Sequence, residues 1–87
     1  MHPYKESNTD SKLIREFSSD TDPMDLVWHQ DAEHRTVKII RGSGWKFQFD
    51  NDLPFEMMSG DQIWIPQGIV HRVIKGRGDL IIEIIKH

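Results

Sequence analysis

Residues 60–75, G-D-Q-I-W-I-P-Q-G-I-V-H-R-V-I-K, constrain the fold more than any other stretch of the chain. Residues 61–65 alternate, with Gln62 and Trp64 on one side and Ile63 and Ile65 on the other, which is the period of a strand with one buried face. Pro66 fixes its φ and has no N–H to give to a ladder, while Gly68 tolerates a positive φ, so the chain turns between them. Residues 70–74 alternate again, placing His71 and Val73 on one face and Arg72 and Ile74 on the other.

The same punctuation runs through the rest of the chain. Residues 11–17 read as a strand in which Leu13, Arg15 and Phe17 share a face, with a short helix as the alternative. Residues 18–23 are a loop by composition, residues 24–29 are apolar enough for a strand, and residues 30–34 form a tight loop. Residues 35–41 place Arg35, Val37 and Ile39 on one face, and residues 45–49 do the same for Trp45, Phe47 and Phe49. With Gly42-Ser43-Gly44 between them they read as a hairpin. A turn at residues 50–52 precedes a strand at 53–58, with Pro54 at an edge or strand start, and residues 76–78 form the last turn.

Residues 80–85 are almost continuously aliphatic, broken by Glu83. A strand apolar on both faces is covered on both faces. A chain of 87 residues buries only about 60–65% of its unfolded surface, so the second cover is expected from a partner subunit, making a homodimer. No long amphipathic helix pattern occurs, and strands with turns every eight to twelve residues or so indicate an all-β sandwich or barrel. Residues 1–10 are polar and expected to be a flexible tail, leaving residues 11–87 as a single domain.

A net charge of −3 argues against a nucleic-acid surface, which needs clustered excess Lys and Arg. The absence of cysteine removes disulfides, thiol nucleophiles and thiolate metal sites. No apolar run approaches the ~20 residues needed to span a bilayer, and the first residues lack the apolar core of a signal peptide. A soluble, cytoplasmic protein without nucleic-acid or membrane partners is expected.

Gly60, Pro66, Gly68 and His71 stand in the order G-x5-P-x-G-x2-H, which resembles the second signature of the cupin superfamily, although that pattern continues to an Asn where this chain has Lys75. The resemblance covers residues from about 24 to the C-terminus and implies a small double-stranded β-helix, an all-β barrel of the jelly-roll kind. It also implies an upstream signature, G-x5-H-x-H-x3,4-E-x6-G. Counted back from Gly42, Arg35 occupies the glutamate position, and His29 and Asp31 occupy the two histidine positions; the upstream glycine is missing. His29 and His71 are thus retained as family metal ligands and Asp31 replaces a third. Glu33 is out of register for the glutamate role and His34 has the wrong parity for the strand that follows.

Two imidazoles and one carboxylate can form a facial triad with open positions, suited to one divalent ion: iron, with manganese, zinc or nickel also possible by geometry. Iron oxygenases with an H-x-D…H order share this fold. Arg35 cuts the other way, since a cation beside the metal position disfavours another cation. It has three readings: a structural pair with Asp31, Glu33 or Glu83, a ligand for the carboxylate or phosphate of an anionic molecule, or a solvated side chain. Trp28, Trp45 and Trp64 are candidates for an apolar pocket lining, Trp28 for ligand contact in particular, or for plain core.

Three functions follow. The first is a module binding a small, anionic molecule in the barrel mouth. The second is a metal-dependent enzyme of dioxygenase or isomerase type using His29, Asp31 and His71. The third is a structural or regulatory homodimer. No general base or nucleophile stands out beyond the ligand candidates, so no catalytic residue is assigned.

Overall fold

A computed structural model describes residues 3–9 and 11–87. Eight strands occur among them: β1 (Lys5–Thr9), β2 (Lys12–Phe17), β3 (Arg35–Ser43), β4 (Lys46–Phe49), β5 (Phe55–Glu56), β6 (Gln62–Ile65), β7 (His71–Ile74) and β8 (Arg77–Lys86). A single 3-10 turn, Pro23–Asp25, starts at Asp22, whose side chain accepts from the Met24 N–H. The strands form an antiparallel five-stranded sheet in the order β1-β2-β8-β3-β6 and a three-stranded sheet in the order β5-β4-β7. This is the all-β jelly-roll class that the alternation and the resemblance imply. No helix among the described residues is long and apolar enough to cross a membrane.

The core lies between the two sheets. Val37 and Ile39 of β3, Ile63 and Ile65 of β6, and Leu80, Ile82 and Ile84 of β8 are buried on the inner face of the larger sheet. Phe17 of β2, Trp45, Phe47 of β4 and Met57 complete the cluster. Period-two alternation places these side chains on one face, and their removal from water is the main source of stability. Trp45 is fully buried, and its indole N–H satisfies itself on the carbonyls of Arg77 and Gly78, each at 3.2 Å.

Within residues 11–87, four expectations are corrected by the structure. Residues 35–41 and 45–49 do not form a hairpin: β3 pairs with β6 and β8, whereas β4 pairs with β5 and β7 in the other sheet. Register shifts between Ile39 and Arg41 and again between Arg41 and Ser43 bend β3 as the chain leaves the larger sheet. Residues 24–29 form the 3-10 turn and an isolated bridge at His29 instead of a strand. The strand expected at 53–58 is reduced to Phe55–Glu56, and the turn expected at 76–78 has Arg77 and Gly78 already in β8.

The stretch read as a tail carries β1, paired residue by residue with β2 from Lys5↔Glu16 to Thr9↔Lys12; residues 1, 2 and 10 of that stretch lie outside the described residues. All five β1 residues are exposed and polar, so no apolar alternation marks the strand. It exists because the free edge of β2 offers backbone partners.

Candidate metal and ligand site

The turn at residues 66–69 organises the site. Gly68 has φ +79°, and Ile69 N–H bonds to Pro66 O at 3.3 Å, a turn with glycine at its left-handed position. The remaining donors of the turn reach outward: Gly68 N–H bonds to Asp31 O at 2.9 Å and Gln67 N–H to His34 Nδ1 at 3.0 Å. Pro66-x-Gly68 therefore pins the 30–34 loop against the start of β7.

His29 and His71 then exchange both backbone hydrogen bonds, each 2.9 Å, as a single antiparallel bridge. That pairing puts their side chains on one face, with ring centroids 4.2 Å apart in an edge contact. Asp31 follows two residues after His29, and the ligand atoms of His29, Asp31 and His71 all lie within 4.8 Å of one another. Ligands around one ion at ~2.0–2.2 Å stand about 3–4 Å apart, so small side-chain rotations close the set.

The protonation pattern favours a cation. A carbonyl oxygen can only accept, so Nδ1 of His71, 2.9 Å from Ile69 O, carries a proton, as does Nδ1 of His29, 3.3 Å from Val27 O. In a neutral ring so oriented, Nε2 is the atom that carries the lone pair. Burial holds the His71 imidazolium below the usual histidine range, with the neighbouring His29 acting in the same direction and the Ile69 carbonyl and Asp31 opposing it. The neutral His71 Nε2 therefore faces Asp31 Oδ2 at 3.4 Å as one acceptor towards another. Asp31 Oδ2 is buried and has no hydrogen-bond donor among the described residues. Two nitrogen lone pairs and an orphaned carboxylate oxygen fit a divalent ion.

Arg35 is buried at the start of β3 and is held by its neighbours: Nη1 lies 3.3 Å from Asp31 Oδ1 and Nε 3.6 Å from Glu33 Oε2. Nε is itself buried without a hydrogen bond to any described residue. Of its three readings, the paired one has the contacts. Glu83 instead faces Lys12 at 3.6 Å, and Glu33 also reaches Lys86 at 3.7 Å. Desolvation raises the Glu33 carboxyl, but Arg35, a backbone hydrogen bond and Lys86 together hold it below its usual range.

A cavity of ≈ 330 Å³ opens beside the triad. His29, Asp31, Arg35 and His71 line it together with apolar side chains from both sheets, among them Phe47, Ile82 and Ile84. Phe47 also stacks on the His71 ring at 5.3 Å between centroids. None of the three tryptophans is among the lining residues. Trp28 is 42% exposed with the Arg72 guanidinium 4.5 Å over its ring, Trp45 is core, and Trp64 is exposed beside His34 and His87. His34 thus stands outside the cluster.

One lining residue was visible by parity but not singled out. Arg15 shares the inner face of β2 with Leu13 and Phe17 and reaches the cavity from the side of the larger sheet. A charge between two apolar residues of the same parity is the signal that marks it.

No family model and no curated protein matches the sequence. Solved structures do match. A cupin-2 domain-containing protein from Shewanella frigidimarina aligns over 98% of this chain and 80% of its own, at 17% identity and a TM-score of 0.66. The DMSP lyase DddQ from Ruegeria pomeroyi aligns over 87% of this chain with a TM-score of 0.70 and 13% identity, and HppE in its iron(II) form over 87% with 0.67 and 16%. The chain spans only 36% and 41% of the length of those two proteins. At such identities the likeness is one of fold.

Proposed function

We propose, from a chain that carries the cupin fold, that His29, Asp31 and His71 hold one divalent metal ion at the wall of a cavity that binds a small molecule. The observation that carries this reading is the buried Asp31 Oδ2, which faces the His71 ring nitrogen and has no donor among the described residues. When bound, such an ion supplies a Lewis acid with open positions for a donor atom of the small molecule. The protein's own groups do the rest. The Ile69 and Val27 carbonyls fix the ligand tautomers, Phe47 holds the His71 ring by stacking, and Arg35 orients Asp31 while tempering its charge. The apolar walls exclude water from around the small molecule.

HppE has been solved with iron(II) and with cobalt(II) and substrate, which supports the compatibility of this fold with such chemistry. The choice among iron, manganese, zinc and nickel follows from the metal content of protein purified without chelator or added metal. About one divalent ion per chain is expected, falling to near zero in His71→Ala. Sub-stoichiometric metal that His71→Ala does not reduce would remove the metal from the proposal.

A second reading keeps the cavity without the ion. It is favoured by the Arg35–Asp31 pair, which already compensates one oxygen of the carboxylate. Ligand binding that is unchanged by chelation would select it.

A further inference from the structure

The cavity wall is mostly apolar; besides the exposed Asp25 at its rim, it carries charge at two places. One is the triad with Arg35. The other is Arg15, directly opposite Ile82 of β8 in the sheet register, so that both side chains enter the cavity from the larger sheet. Only 15% of the Arg15 side chain is exposed. Glu6 of β1 pairs across from it and accepts from its Nε at 2.6 Å. Tyr4, of the same parity as Glu6, lies against the guanidinium face, with Cζ 4.3 Å from the ring centroid. These contacts hold the plane of the fork and occupy one of its five N–H donors. The clamp leaves the Nη donors without a partner among the described residues.

Arg35 is flanked by the carboxylates of Asp31 and Glu33, which offset its charge and disfavour a further anion beside it. We infer that Arg15 is the anion-recognising residue of the cavity, and that the ligand is a small organic acid whose carboxylate meets the Arg15 fork while its apolar body lies along Phe47, Ile82 and Ile84. A guanidinium matches a carboxylate in two parallel hydrogen bonds, which a lysine cannot reproduce. The volume of ≈ 330 Å³ suits a short aliphatic acid rather than a sugar nucleotide or a peptide. This assignment rests on the cavity being a small-molecule site and is independent of the metal.

The test is titration of the full-length chain, freed of metal by chelation, with hexanoate and with 1-hexanol, followed by amide chemical shifts. Hexanol reports the cavity alone. Wild type is expected to bind hexanoate about tenfold or more tightly than hexanol, since charged hydrogen bonds contribute at that level. Arg15→Gln should erase the difference and leave hexanol binding unchanged. If that variant does not fold, Arg15→Lys, which keeps the stem and charge but loses the fork, should lower the preference several-fold.

Glu6→Gln separates recognition from structure. Removing the competing carboxylate should tighten hexanoate several-fold, whereas an Arg15 that served only its ion pair would give no gain. Hexanoate that binds no better than hexanol, a preference that survives Arg15→Gln, or Glu6→Gln with no gain would each overturn the assignment. If neither compound binds, the small-molecule reading of the cavity fails and this one with it.

Discussion

Arg35 acts in two directions through one contact. Its Nη1 at 3.3 Å compensates the buried Asp31 carboxylate, and the same charge repels a cation placed between Asp31 and the histidines. Arg35→Met keeps the stem and removes the charge. Metal-free protein should lose about 3 kcal/mol in urea unfolding, because the carboxylate is left buried and unpaired. Metal affinity should move the other way, tightening about tenfold or more by competition titration, as a nearby like charge is removed. Added metal should then restore most of the lost stability, since the ion replaces the guanidinium.

His71 gives a pH dependence whose sign follows from its burial. Its folded-state pKa lies below the unfolded value, so the unfolded chain binds the proton first as pH falls. Stability is full above the unfolded value of about 6.5 and declines as pH drops through it, the loss being complete below the folded pKa. In chelated protein, urea midpoints at pH 8 should exceed those at pH 5, and His71→Gln should flatten that part of the profile. A steeper profile in the variant would place the titrating group elsewhere.

Among the elements, those with one buried face were legible from alternation alone: β2, β3, β6 and β7 have the parity that Phe17, Val37, Ile63 and His71 imply. Period two fixes which side of a strand is buried and says nothing about which strand is its neighbour. That is why residues 35–49 read as a hairpin, although β3 and β4 belong to opposite sheets. β1 was hidden for the converse reason, since a polar edge strand is specified by backbone pairing with little help from its side chains. The triad was legible through the spacing of Gly60, Pro66, Gly68 and His71, because that spacing builds the turn that binds the Asp31 carbonyl. The partners of Arg35 depend on the path of the 30–34 loop, which no periodicity records.

The crossing between the sheets depends on Gly76. A Cβ there would fall on the backbone of Gly44 and Trp45 and on the Ser43 carbonyl, none of which is the movable end of a side chain. The close approach also sets the Trp45 indole against the carbonyls of Arg77 and Gly78. Gly76→Ala should therefore destabilise by about 3 kcal/mol, at the upper end for overpacking, measured as a lowered thermal midpoint. Gly60→Ala meets no atom within 4 Å and carries only the cost of its positive φ, so it should lose about 1 kcal/mol.

For the whole molecule, the remaining matter is what covers the outer face of the larger sheet. The Cα radius of gyration, 12.0 Å, is the ~12 Å expected of a compact chain of this length, so the inner faces are already packed against each other. On the outer face Ile14, Ile81 and Ile85 are half-buried and Ile40 is 45% exposed. The sheet register sets Ile85 beside Lys12, Ile14 beside Glu83 with Lys38 beyond it, and Ile81 between Glu16 and Arg41, so the face carries both signs of charge and can complement a copy of itself turned through two-fold symmetry. A second copy is accordingly the expected cover. Sedimentation velocity at micromolar concentration should show a dimer, and Ile85→Lys, which sets a second positive charge beside Lys12 on that face, should give a folded monomer. Because this face lies opposite the triad, the variant should keep its metal content. A monomeric wild type would mean that the long charged side chains of Lys12, Lys38 and Glu83 shield Ile81 and Ile85 sufficiently by themselves.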